Sequence, residues 1–113
     1  GVPASDATMI AQMIGERTVL TEVKSYQDLA AALSADTIKD PRSAVLAAYA
    51  LCGFAHIPSL AIFVGGTAAL APKRAGDLSR VGLRALLAAT LACLMTAAVA
   101  GTFYTQGSIL LSK

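Results

Sequence analysis

Tryptophan is absent from the 113 residues, histidine occurs once, and only 14% of positions carry Asp, Glu, Lys or Arg. A soluble domain of this length usually carries about a quarter charged residues. This shortage of charge, with 56% hydrophobic residues and a mean hydropathy of +0.64, marks a membrane protein. The net charge of +2 is small and basic and aromatic residues are not interleaved, which excludes a nucleic-acid partner. Cys52 and Cys93 lie in apolar stretches with no second Cys or His at ligand spacing. They read as small buried hydrophobes, not as metal ligands or a disulfide. Without a phosphate-cradling glycine loop, a Ser-His-Asp set or a metal set, the chain does not read as an enzyme. No internal repeat is visible. The chain starts at Gly1, and no basic leader with an apolar core and a cleavage site stands near its start. It is therefore expected to be a piece of a longer protein, its C-terminal end.

The longest gap in charge organises everything else. From Ala44 to Ala71 there is no Asp, Glu, Lys or Arg, a run of about 28 residues that is long enough to cross a hydrocarbon core. Its middle does not suit a continuous helix. Gly53 loosens the backbone, His56 is titratable, and Pro58 lacks the N–H that a helix interior needs. The run predicts two half-helices, Ala44–Phe54 and Leu60–Ala71, with an unwound joint near the bilayer midplane. Broken backbone at that depth is tolerated only inside protein or beside a polar cavity. In transporters such joints form substrate and ion sites.

Upstream, Met9, Ile10, Met13 and Ile14 recur at helical spacing from Asp6 onwards, with Ser5 as the expected N-cap and Gly15 as the expected stop. A polar patch, Glu16-Arg17-Thr18, precedes a second helix from Glu22 to Leu33, with Tyr26, Leu29, Ala30 and Leu33 on one face and a Lys24–Asp28 pair on the other. Neither arm can cross a bilayer alone. Two short arms around a polar tip fit a re-entrant hairpin over residues 6–33, and equally a pair of amphipathic interfacial helices. Ser34–Arg42 is a neutral polar connector. Pro72–Arg84 carries Lys73, Arg74, Arg80 and Arg84 against Asp77 alone. That basic loop is placed in the cytoplasm, with Asp77 capping or opening the next helix. The connector and the tail Thr105–Lys113 then lie outside. The last span runs from Ala85 to Tyr104. Its ladder Ala88, Ala92, Thr96, Ala100, flanked by Cys93, Ala97 and Gly101, suits close helix packing or reflects only a high alanine content.

Polar side chains at membrane depth are costly and usually functional. Glu22, at the hairpin tip, either accepts hydrogen bonds from hydroxyls of a solute or is a surface carboxylate of an interfacial hairpin. His56 either bonds the freed carbonyls of the joint as a core histidine, or contacts solute and takes part in proton coupling. Ser59 can cap the second half-helix and also reach a ligand. Thr21 donates a hydrogen bond at the tip or only stabilises the turn.

The blocks GVPASDA, GERTVLTEVKSY, YALCGFAHIPSLAIFVGG and ALAPKRAGDLSRVGLRALLAATLA resemble the C-terminal part of the concentrative nucleoside transporter family. The resemblance covers nearly the whole chain, in order, and is most specific from Ala69 to Ala92. It implies an all-α membrane protein, a fragment of an inverted-repeat transporter. Residues 1–113 would be the C-terminal part of its transport domain, with a re-entrant hairpin (6–33), a discontinuous helix (44–71), a cytoplasmic basic loop (72–84) and a last transmembrane helix (85–104). In that family a tip Asn-Glu pair and an Asn-x-x-Ser pattern in the broken helix contact the ribose. Here these positions hold Thr21 and Glu22, and His56 and Ser59, with Pro58 inside the second motif. The resemblance thus implies an ion-coupled nucleoside symporter of a bacterial inner membrane, not an enzyme. It binds ribose through Glu22, His56, Ser59 and Thr21 in a homotrimer. No cofactor is expected, and the coupling ion, sodium or proton, would sit in the missing N-terminal half, a necessary partner. The alternative is a small membrane-embedded interaction or assembly subunit without a solute site.

Overall fold

The structure is a computed structural model, and it describes residues 1–104. Five α-helices make up these residues: α1 (Ala4–Val19), α2 (Glu22–Ser34), α3 (Pro41–Leu51), α4 (Ile57–Leu70) and α5 (Ala75–Phe103), with a 3₁₀ turn at Pro72–Arg74 before the last. The expectations for the tail Thr105–Lys113 lie outside the described residues.

The first helix departs from its sequence reading at both ends. Pro3, not Ser5, is its N-cap, and the Pro3 carbonyl accepts the amides of Asp6 and Ala7, each at 3.1 Å. Gly15 does not end the helix, which runs on through Glu16, Arg17 and Thr18 to Val19. A helical glycine costs only about 1 kcal/mol. Burial of Ile10, Met13 and Arg17 on one face of the extended helix outweighs it. The polar patch is therefore a last helical turn, and Leu20-Thr21 is the tip.

The second helix begins at Glu22, with the Thr21 hydroxyl oxygen accepting the Lys24 amide at 3.4 Å. Lys24 pairs with Asp28 on its exposed side. Its inner face is Ser25 and Leu29, whereas Tyr26, Ala30 and Leu33 of the expected face are exposed. The Ser25 hydroxyl donates to the Met13 carbonyl at 3.0 Å, which locks the two arms together. The helix closes in a Schellman motif: Thr37 N–H donates to Ala32 O at 3.0 Å and Asp36 N–H to Leu33 O at 3.2 Å. Asp36 takes the left-handed position with φ 52°, where glycine is the usual occupant.

The connector is pinned from below. Buried Asp6 accepts the amides of Lys39 at 3.3 Å and Asp40 at 3.0 Å. Asp40 in turn caps α3 through the Arg42 amide at 2.8 Å, and Pro41 fills the first helical position.

The two half-helices run antiparallel along the whole of α5, as three close approaches show. At one end Gly101 lies against Leu46, and Arg42 Nη2 donates to the Gly101 carbonyl at 3.0 Å. In the middle Gly53 faces Cys93, and at the other end Gly82 admits Leu60 and Val64. The buried stripe of α5 is therefore Gly82, Cys93, Ala97 and Gly101. The ladder Ala88, Ala92, Thr96 faces outward instead, and only Ala100 is partly covered. The side that carries the two glycines is where backbones come closest, and the Ala88, Ala92, Thr96 ladder is not. Cys93 is buried as expected, but Cys52, which caps the end of α3, is exposed.

The basic loop is not a loop. Apart from Ala71 and the 3₁₀ turn, residues 75–84 are the first turns of α5, and Asp77 opens the helix beside Arg74 at 2.7 Å. At 29 residues α5 reaches about 43 Å, and it includes a stretch long and apolar enough to cross a membrane. Leu87, Leu91 and Met95 on α5 and Ile62 and Phe63 on α4 are exposed, an apolar exterior suited to lipid or to other helices.

Two expectations follow for stability, read as thermal unfolding of the detergent-purified protein. A Cβ on Gly53 would run into Cys93 Sγ, so Gly53→Ala should cost about 1–3 kcal/mol as an overpacked site. Adding Cys93→Ala should restore most of it, because the new methyl then meets only a Cβ at 3.9 Å. Asp36→Gly should raise stability by about 1 kcal/mol, by relieving the left-handed position.

Candidate functional site

The site grows out of the break between α3 and α4. Ending a helix inside an apolar layer leaves carbonyls and amides without partners, and each must be satisfied locally. Five residues, Cys52 to His56, make the joint.

The start of α4 is closed by a reciprocal capping box. His56 is the N-cap, and its Nδ1 accepts the Ser59 amide at 3.0 Å. The Ser59 hydroxyl oxygen accepts the His56 amide at 3.4 Å. That hydroxyl donates to the carbonyls of Phe54 and His56, both at 2.7 Å, so its single hydrogen is committed to the joint. Pro58 falls within the first turn of α4, where a missing N–H costs nothing. Proline here starts a helix and does not interrupt one. Both His56 and Ser59 are buried, at 4% and 3% exposure.

The hairpin brings its carboxylate to this cap. Glu22 Oε2 meets His56 Nε2 in an ion-pair geometry. Both atoms are shielded from solvent, and neither makes a hydrogen bond of regular geometry among the described residues. Glu22 is the first residue of α2, where free amides favour a negative group. The structure therefore brings Glu22, His56 and Ser59 into one connected chain. Ser59 joins it through its amide on Nδ1, with its own hydroxyl turned into the joint. Thr21 is half-buried beside Glu22 and accepts the Lys24 amide, and its own O–H has no assigned acceptor among the described residues.

Three residues that were not among the site candidates complete the arrangement. Arg17 is fully buried and Nη1 donates to the Ala50 carbonyl at 2.6 Å, at the open C-terminal end of α3. A cation there offsets the negative end of the half-helix dipole. Its Nε and Nη2 find no partner among the described residues. The signal was present in the sequence: Arg17 continues the Ile10, Met13 face at i+7 and i+4, a charge at an apolar register. Tyr26 donates its hydroxyl to Ala48 O at 2.8 Å, a second tie from the hairpin to α3. Phe54 lies with its ring 5.9 Å from the imidazole and is 68% exposed. Beside the joint, Phe54, Ser59, Leu60, Phe63 and Leu86 line an open hollow of about 250 Å³.

With this geometry in place, the comparisons are specific. The family described as "Na+ dependent nucleoside transporter C-terminus" matches residues 1–101. Human "Solute carrier family 28 member 3" is 39% identical over 113 residues, covering 89% of this chain and 16% of its own length. The "Putative nucleoside permease NupX" of Escherichia coli is 39% identical over 103 residues, covering 91% of this chain and 25% of its own. The chain thus spans a quarter or less of the length of these relatives. Among solved structures, CNTnw in an inward-facing substrate-bound state aligns with a TM-score of 0.86 at 36% identity, over 91% of this chain and 25% of that one. A double variant of CNTnw in an outward-facing state gives 0.86 at 36% identity, with the same coverage. A match across residues 1–101, relatives named as nucleoside carriers, and a shared fold of hairpin, broken helix and long last helix place this chain in the concentrative, sodium-dependent nucleoside transporter family.

Proposed function

We propose that the chain is the C-terminal part of an ion-coupled nucleoside symporter of a bacterial inner membrane. Residues 6–33 then form a re-entrant hairpin, and Glu22, His56, Ser59 and Thr21 hold the nucleoside ribose near the midplane. The observation that carries this reading is the meeting of Glu22, from the hairpin tip, with His56, at the joint of the broken helix. At about 1.5 Å per residue, the 11 residues of α3 and 14 of α4 reach about 16 and 21 Å, which sets the joint roughly halfway through a ~30 Å core. An acceptor-only carboxylate at that depth needs donors, and the hydroxyls of a sugar supply them. The exposed Phe54 ring offers a flat apolar face for a base beside that carboxylate. Ser59 contributes a remaining lone pair and Thr21 an O–H.

The hairpin and the broken helix move as one body in this mechanism. Arg17 on Ala50 O, Tyr26 on Ala48 O, Glu22 on His56 and Asp6 on the connector amides tie them at four points. Equal similarity to inward-facing and outward-facing states of CNTnw supports a unit that keeps its shape while it changes sides. The coupling ion, sodium or proton, and the rest of the cavity are assigned to the remainder of the protein. The exposed apolar faces of α4 and α5 are left for lipid and for neighbours in a homotrimer. An assembly subunit without a solute would have no use for a shielded carboxylate facing a helix break.

In cells expressing the complete protein, Glu22→Gln should lower uridine uptake more than about tenfold, because a carboxylate that accepts two hydroxyls is not replaced by an amide. Unchanged uptake kinetics would remove Glu22 from the site. Nucleosides lacking the 2′ and 3′ hydroxyls should compete with uridine uptake at least about tenfold less well than those that have both. Equal competition would show that ribose is not what Glu22 reads.

A further inference from the structure

We propose that His56 acts here as a neutral imidazole locked in one tautomer, with Nδ1 serving as a helix cap and Nε2–H as a placeholder donor on Glu22 that the solute displaces. The displacement step rests on the ribose reading above, and the tautomer does not.

The lock follows from which atom accepts. A backbone amide can only donate, so the Ser59 N–H at 3.0 Å requires a bare lone pair on Nδ1. A neutral imidazole then carries its one hydrogen on Nε2. That nitrogen faces Glu22 Oε2, an acceptor with no other partner among the described residues. Nδ1 is thus hydrogen-bonded and Nε2–H is turned toward an acceptor in one tautomer and in no other. The opposite tautomer turns a hydrogen toward the Ser59 amide and a lone pair toward the carboxylate.

The imidazolium is no better placed. It too has a hydrogen on Nδ1, set head-on against the Ser59 N–H. Charging His56 therefore requires the ring to leave the cap and strands a buried amide at the start of α4. The groups around the junction pull in both directions. Glu22 on α2 favours a cation, and fully buried Arg17 on α1 opposes a second one. The neutral Nε2–H already faces Glu22, whereas the cap tolerates only the neutral ring. A titratable residue has thus become a fixed acceptor–donor pair, pointing its acceptor at the backbone and its donor into the site.

The consequence for binding is an exchange of donors. In the empty site Nε2–H occupies the Glu22 oxygen that would otherwise be left bare in an apolar layer. A neutral vicinal diol brings two O–H donors to that carboxylate and frees Nε2–H for an oxygen of the solute. No proton changes owner in this exchange, so a coupling proton, if the protein uses one, does not travel on His56.

The test is nitrogen NMR of the complete protein in detergent, with histidine labelled at both ring nitrogens and the His56 signals identified by their loss in His56→Asn. At neutral pH the expected pattern is one protonated nitrogen, Nε2, and one bare nitrogen, Nδ1. Two protonated nitrogens, or the hydrogen on Nδ1, would overturn the lock whatever the protein transports. Saturating uridine should shift the Nε2 signal and leave Nδ1 in place, and a nucleoside without 2′ and 3′ hydroxyls should not. The locked pattern with no response to uridine would overturn the exchange and the ribose reading, leaving the cap assignment standing.

Discussion

A helix that stops inside a long apolar run must satisfy its own backbone, and this requirement shapes most of the molecule. Water is not available to the freed amides and carbonyls, so protein groups take its place. His56 and Ser59 close the start of α4 from within the chain, and Arg17 closes the end of α3 from a different helix. The break is thus a polar knot with fixed partners, and its few atoms left facing outward are those that can bind something.

The hairpin follows from that knot. Both α1 and α2 are attached to α3 through the apolar core of Ile10, Met13, Leu29, Ala47 and Leu51 and through polar contacts with its carbonyls and connector amides. Those contacts place the first residue of α2, with its carboxylate, against the imidazole at the cap. The same bonds that stabilise the broken helix therefore also assemble the site. A change in the angle between hairpin and broken helix would separate Glu22 from His56 and open the α3 end at once.

The long last helix supplies the wall on which the two halves are held in line. Glycines at 82 and 101 and a cysteine at 93 let Leu60, Leu46 and Gly53 approach its backbone closely. Both half-helices are shorter than a bilayer, and their common axis is kept by contact with one continuous rod. The chain's family is the sodium-dependent nucleoside transporters, and in this structure the rod, the halves and the hairpin are packed against one another as one unit.

Local chemistry was legible in the sequence. Charge scarcity, the uncharged run with Gly53 and Pro58 inside it, and the cap expected at Ser59's turn marked where the long apolar run is broken, because these depend on neighbours a few residues away. The decisions that came from afar were not legible. Gly15 looked like a stop until burial of Arg17 and Met13 carried the helix past it. Alanines and glycines recur on α5 with the same period, and only the approach of Gly53, Leu46 and Leu60 selects the glycine stripe as the inner one. The candidates Glu22, His56 and Ser59 are brought together only when the hairpin folds back onto the joint. The surroundings of His56 are the clearest case: one ring nitrogen accepts from an amide three residues on, and the other faces a carboxylate 34 residues away. The first of these the chain encodes locally, and the second exists only in the packed protein.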